Sequence, residues 1–146
     1  MKRRLLLASL LLAAHAAAAA AEFRAVAEDA TVLYDGPSLQ ATPLFVVTRL
    51  YPLEVLVELE AWVKVRDHTG ALTWVEKRRL SESRTVLVTE PSAPALVRPE
   101  ENAPVAFVAA QNVVLELIEP APEGWLRVRH ADGVTGFMRA ASAWGN

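Results

Sequence analysis

Trp62, Lys64 and Arg66 stand at alternate positions in "AWVKVRD", and Trp125, Arg127 and Arg129 repeat the arrangement in "GWLRVRH". Alternate residues of an extended chain share one face, so each stretch presents an indole beside two cations. Such a face binds rather than reacts. The indole supplies area, a π-face and one N–H donor, and the cations supply charge. These six residues are the candidate ligand contacts. Two placements fit them: a surface facing a ligand, or indoles covered by Lys and Arg stems or by a neighbouring unit. Packing of both tryptophans between two units is the expectation.

Groups that could make or break bonds are scarce. The chain has no cysteine, which removes thiol nucleophiles and disulfides together. His68 and His130 fall in two separate turn segments, and no serine sits in a G-x-S-x-G context. The acidic residues are scattered rather than set at metal-ligand spacing. Asp67 and Asp132, each close to a histidine, read as turn formers. The dense basic cluster "EKRR", Glu76 to Arg79, reads as a solvated surface turn. No catalytic residue, no metal site and no cofactor is predicted.

The elements that must carry these residues are written twice. Trp62 and Trp125, Val65 and Val128, Arg66 and Arg129, Gly70 and Gly133, and Trp74 and Phe137 are each 63 residues apart. Upstream, Phe45-Val46 matches Phe107-Val108, and Leu53-Glu54 matches Leu115-Glu116, at an offset of 62. The extra residue falls where "ELEAW" becomes "EPAPEGW", a turn, which is where insertions are tolerated. Self-similarity at this period marks a duplicated structural unit.

Each unit reads as strands. "LEVLVELE" sets Leu53, Val55, Val57 and Leu59 against Glu54, Glu58 and Glu60, the alternation of a half-buried strand, with Leu56 breaking the polar face so that part of it is expected to be covered. "WVKVRD" and "WLRVRH" alternate again and run into turns, the second carrying Asp132-Gly133, a strong hairpin signal. Nine prolines spread over residues 37 to 122 make long helices improbable. Trp74 and Phe137 read as core, and Trp144 as the ring that closes the second unit. The junction is "SESRTVLVTEPSAPALVRP", in which "RTVLVTE" takes the place that "FRAVAED" has in the first unit. Units of about 60 residues are marginal alone, so the two are expected to pack together.

The first 21 residues differ in kind. Lys2, Arg3 and Arg4 precede an apolar run from Leu5 to Ala14 and small residues to Ala21, the order of a secretory leader cut before Glu22. An apolar run of about ten residues is short of the about 20 a bilayer span needs. Three of the 15 Lys and Arg lie in the leader, leaving 12 against 17 acidic residues, a net charge of −5. That balance argues against nucleic acid or an anionic membrane surface as a partner. The expected location is periplasmic or secreted, without a lipid-anchoring cysteine and without membrane insertion after cleavage.

Gly36-Pro37-Ser38, then Trp62 and Val65, then Trp74-Val75 resemble the ordered motifs of the bacterial SH3-like (SH3b) domain family. Gly124-Trp125, Val128 and Gly136-Phe137-Met138 repeat the last two, while "ALVRPEE" keeps a remnant of the first. Tyr34 stands where the family usually has arginine, Ala61 for a glycine and Thr73 for another. The resemblance implies an all-β chain: two tandem small SH3-like five-stranded barrels packed together. The divisions are a leader at 1–21, repeat 1 at 22–84 and repeat 2 at 85–146. It also implies a non-enzymatic binding or targeting module, with peptidoglycan or an envelope protein as partner. By position, Trp62 and Trp125 are similar to the tryptophan that lines the peptide groove of eukaryotic SH3 domains.

Overall fold

A computed structural model describes residues 20–146; the expected leader therefore lies outside the described residues, apart from its last two. The described chain is all-β. Strands β1 (Glu22–Val26), β2 (Thr31–Tyr34), β3 (Pro43–Val47), β4 (Pro52–Glu58), β5 (Trp62–Arg66), β6 (Leu72–Glu76) and β7 (Leu80–Ser81) form one sheet. Strands β8 (Thr85–Val88), β9 (Ser92–Leu96), β10 (Val105–Ala110), β11 (Val114–Ala121), β12 (Trp125–Arg129), β13 (Thr135–Arg139) and β14 (Ala143–Trp144) form the other. The orders, β3-β2-β6-β5-β4-β1-β7 and β10-β9-β13-β12-β11-β8-β14, are the same path drawn twice. No helix among the described residues is long and apolar enough to cross a membrane.

Each sheet has seven strands where five were expected. The long loop after β1 pairs with itself as the β2–β3 hairpin, and β2 attaches to β6 through Tyr34 and Trp74; β9–β10 does the same in the second barrel. The period-two positions fill the interiors. Val26, Leu33, Leu53, Val63, Val65 and Val75 form the first core. Val86, Val88, Leu115, Val128 and Met138 lead the second, with Ala93, Ala95 and Ala109 beside the bulkier Met138.

The alternation of "LEVLVELE" holds only as far as Val55. The β4–β5 register shifts between Val55 and Val57, so Leu56 is an extra residue that rotates the following side chains to the other face. Val57 and Leu59, expected inside, are 45% and 44% exposed. The β11–β12 register shifts at the equivalent place, between Leu117 and Glu119.

The residues between the barrels also differ from expectation. Neither Trp62 nor Trp125 is there. Trp144, expected to close its own barrel, meets the Phe23 ring of the first barrel edge-on, with centroids 5.0 Å apart. The Arg84 guanidinium lies 5.9 Å from the same Phe23 ring. His68 faces Trp144 at 6.5 Å and shares a 2.6 Å hydrogen bond through Nδ1 with the Tyr51 hydroxyl. Thr85 donates its hydroxyl to the Leu50 carbonyl at 2.7 Å, from the first strand of one barrel to the other barrel. Burial, with the Asp67 charge nearby, pushes the Tyr51 hydroxyl up to about 12.

Candidate functional site

The outer face of each barrel's central hairpin follows from strand register. In the first, Trp62 lies opposite Glu76, Lys64 opposite Trp74 and Arg66 opposite Leu72. In the second, Trp125 lies opposite Arg139, Arg127 opposite Phe137 and Arg129 opposite Thr135. Trp74 and Phe137 are therefore not core, as expected from their valine and methionine neighbours, but half-buried on the outer face with the candidate tryptophans. Their neighbours Val75 and Met138 take the inward positions.

Of the six candidate contacts, one lines the open groove of the first barrel. Trp62 is half-buried, held by an edge-on contact with Tyr34 at 5.5 Å. Beside it lies a groove of about 600 Å³ between the β2–β3 loop (Pro37, Ser38, Leu39, Gln40) and the β4–β5 turn (Glu60, Ala61). Glu76, which neighbours Trp62 across the strands, Lys77 and Arg78 complete its lining. The loop keeps its shape by its own bonds: Asp35 N–H to the Thr42 carbonyl at 3.0 Å, and Thr42 N–H to the Asp35 carboxylate at 2.8 Å. Two of the cations from the "EKRR" turn thus line this groove.

The other candidates are engaged elsewhere. Arg66 makes a two-pronged bond to Glu54 on β4, at 2.7 and 2.8 Å. That bond holds the Glu54 carboxyl below its usual range, against the opposing effect of burial. Arg127 and Arg129 pair with Glu119 and Glu116 on β11 at 3.1 and 3.0 Å. Glu54–Arg66 and Glu116–Arg129 are directly opposite in register, so the repeated Leu-Glu and Arg of the sequence are the two ends of one duplicated cross-strand pair. Lys64 is half-buried beside Trp74 and does not line the groove.

Trp125 is covered by its own barrel. It is 5% exposed, with the Arg139 guanidinium 4.0 Å from the ring centroid. Arg139 is ion-paired to Glu101 and donates to the Glu123 carbonyl at 3.2 Å. With Leu96 and Ala103, Trp125 forms a small outer cluster against which Phe137 packs. The corresponding Tyr34, Ala41 and Trp62 of the first barrel all stay half-buried.

The two histidines do not come together. His68 bonds to Tyr51, whereas His130 sits 3.1 Å from Asp132. Asp67 and Asp132 shape the turns as expected: Asp67 accepts from the Thr69 and Ala71 amides, and Asp132 from the Val134 amide. That amide is the chief reason the Asp132 carboxyl lies low. Among the described residues no group of three or more His, Cys, Asp or Glu could hold a metal ion.

Two tandem SH3-like barrels, each with a tryptophan at the start of the central hairpin and a loop folded over it, define the class of this chain. Residues 27–82 and 89–145 each match the bacterial SH3 domain family, and the chain belongs to that family. No curated protein matches it. Among solved structures, NlpC2 from Trichomonas vaginalis is 15% identical, with 87% of this chain and 49% of that one covered and a TM-score of 0.40. NlpC1 from the same organism is 14% identical over 96% and 51%, with the same TM-score. An NlpC/P60 family protein from Bacillus cereus ATCC 10987 is 16% identical over 84% and 56%, again at 0.40. This chain spans about half the length of each.

Proposed function

We propose that the chain is a non-enzymatic binding module of the cell envelope, periplasmic or secreted, whose ligand is peptidoglycan or a cell-wall peptide. The open groove at Trp62 carries this reading. It is a concave surface with an aromatic floor and charged rims, formed by a loop that its own hydrogen bonds fix in place. Membership of the bacterial SH3 domain family and the leader-like start of the sequence support the envelope assignment. A second reading, an adaptor for another envelope protein, draws on the edge strand β3, whose Leu44, Phe45 and Val46 are exposed.

A pull-down on purified sacculi separates the two. The wild-type chain should be retained, and Trp62→Ala should lose retention while keeping a native circular-dichroism spectrum. Absence of wild-type retention would sink the peptidoglycan reading and leave the adaptor.

A further inference from the structure

The two grooves follow one plan, but the second is narrower, about 300 Å³ against about 600 Å³, and its indole already carries a guanidinium. Their loops share three backbone bonds at an offset of 62. Asp35 N to Thr42 O matches Val97 N to Pro104 O, Ser38 N to Gly36 O matches Glu100 N to Arg98 O, and Ala41 N to Ser38 O matches Ala103 N to Glu100 O. Leu39 and Glu101 therefore occupy the same place in the two loops. Strand register makes Glu76 and Arg139 equivalent, each directly opposite its tryptophan. Between the barrels, then, the loop residue changes from apolar to acidic and the strand residue from acidic to basic. Those two changes put a guanidinium over the second indole and tie it to the loop.

We infer that the groove of the first barrel receives a cationic group, the ammonium or guanidinium of an extended peptide, over Trp62. Arg139 is that group's counterpart built into the second barrel. An indole face attracts a cation through its quadrupole, and the second barrel shows that this site accommodates one. The charges around the first groove favour the same occupant. Lys77 is held by Glu58, and Arg78 by Glu76 at 3.0 Å. Glu60 on the rim has no cationic partner among the described residues. The groove thus offers an uncovered indole and an unpaired carboxylate, the two elements that Arg139 finds in Trp125 and Glu101. In the second groove, by the same logic, the place over the indole is taken by Arg139 in the native chain.

This inference rests on the groove being a binding site, and its test is separable from the sacculus experiment. The purified, nitrogen-15-labelled chain is titrated with the blocked tripeptides Ac-Ala-Lys-Ala-NH2 and Ac-Ala-Arg-Ala-NH2. The norleucine analogue, similar in shape to lysine but uncharged, serves as control. The Trp62 indole resonance should shift saturably with the cationic peptides, at least about threefold more tightly than with norleucine, while Trp125 stays still. Glu60→Gln should weaken binding about threefold. Leu39→Glu with Glu76→Arg, which installs the second barrel's pair in the first, should abolish the response. Equal binding of the norleucine peptide overturns the inference, as does unchanged binding by the double variant. If the double variant does not fold, Glu60→Gln and the norleucine comparison decide alone. Trp62-dependent retention on sacculi that is indifferent to acetylation of their amines would refute the cation and keep the groove. Cationic peptides binding at Trp62 without sacculus retention would do the reverse.

Discussion

Thr73 and Gly136 hold the same position on the second strand of each central hairpin, 63 residues apart, and both are buried. At Gly136 a Cβ would come within 2.9 Å of the Ala95 Cβ and 3.3 Å of Leu96 O, so the second barrel has no room for a side chain. The first barrel has room for threonine, but its hydroxyl is buried without a hydrogen-bond partner. A buried, unsatisfied hydroxyl costs about 1–3 kcal/mol, and valine has nearly the same shape. Thr73→Val should therefore raise stability by about 1 kcal/mol, seen as a higher denaturation midpoint with an unchanged slope. Gly136→Ala should lower it by about 2 kcal/mol through overpacking. A destabilised Thr73→Val would mean that the hydroxyl has a partner, such as an ordered water. The threonine was visible in the sequence as a departure from the family glycine. Its missing bond depends on neighbours that converge only in the fold.

At the scale of elements, alternation and turn chemistry located the strands, because both are local properties of the chain. Asp67, Gly70, Asp132 and Gly133 sit in their turns as read, both glycines with positive φ. The failures begin where periodicity is interrupted. A bulge at Leu56 adds one residue to one strand only. Leu56 breaks the polar face of "LEVLVELE", but one apolar residue there reads equally as a covered patch, and alternation continued through it puts Val57 and Leu59 on the wrong face. Trp74 and Phe137 were misread for the opposite reason: their size suggested core, whereas counting outward from the hairpin turn pairs Trp125 with Arg139 and places all four aromatics outside. The covering of Trp125 was thus open to such a count, but its anchoring by Glu101 was not, since that pair bridges 38 residues. The duplicated Glu–Arg pair on the same face carries a prediction. Its partner Arg66 depresses the Glu54 carboxyl below 4.5 in the folded state. The pair therefore adds stability that is present above that value and lost as pH falls through the lower, folded one. Denaturation from about pH 6 to about pH 3 should show wild type losing more stability than Glu54→Gln. Parallel curves would show that the pair is energetically silent.

For the molecule as a whole, duplication accounts for the shared path of the sheets, whereas the contact between barrels is made by residues that are not duplicated. Phe23 and Trp144 belong to the first strand of one barrel and the last of the other, and His68, Tyr51 and Arg84 surround them. A sequence comparison that looks for repeats passes over these positions because they match nothing. The tryptophans that do match, Trp62 and Trp125, invite the interface role that Phe23 and Trp144 perform instead. Units of about 60 residues bury too little of their own surface to be robust alone, so this contact should link their stabilities. The edge-on pair contributes its buried area and about 0.5–1.5 kcal/mol from ring geometry. Phe23→Ala should accordingly lower global stability by about 3 kcal/mol. It should also reduce hydrogen-exchange protection on both sides of the junction, in β8 as well as in β1. Loss of protection confined to the first barrel would show two independent units that merely touch. A matching loss in Thr85–Val88, none of which lines the Trp62 groove, would show the second barrel serving the first: a scaffold that lends the binding barrel the stability it lacks alone.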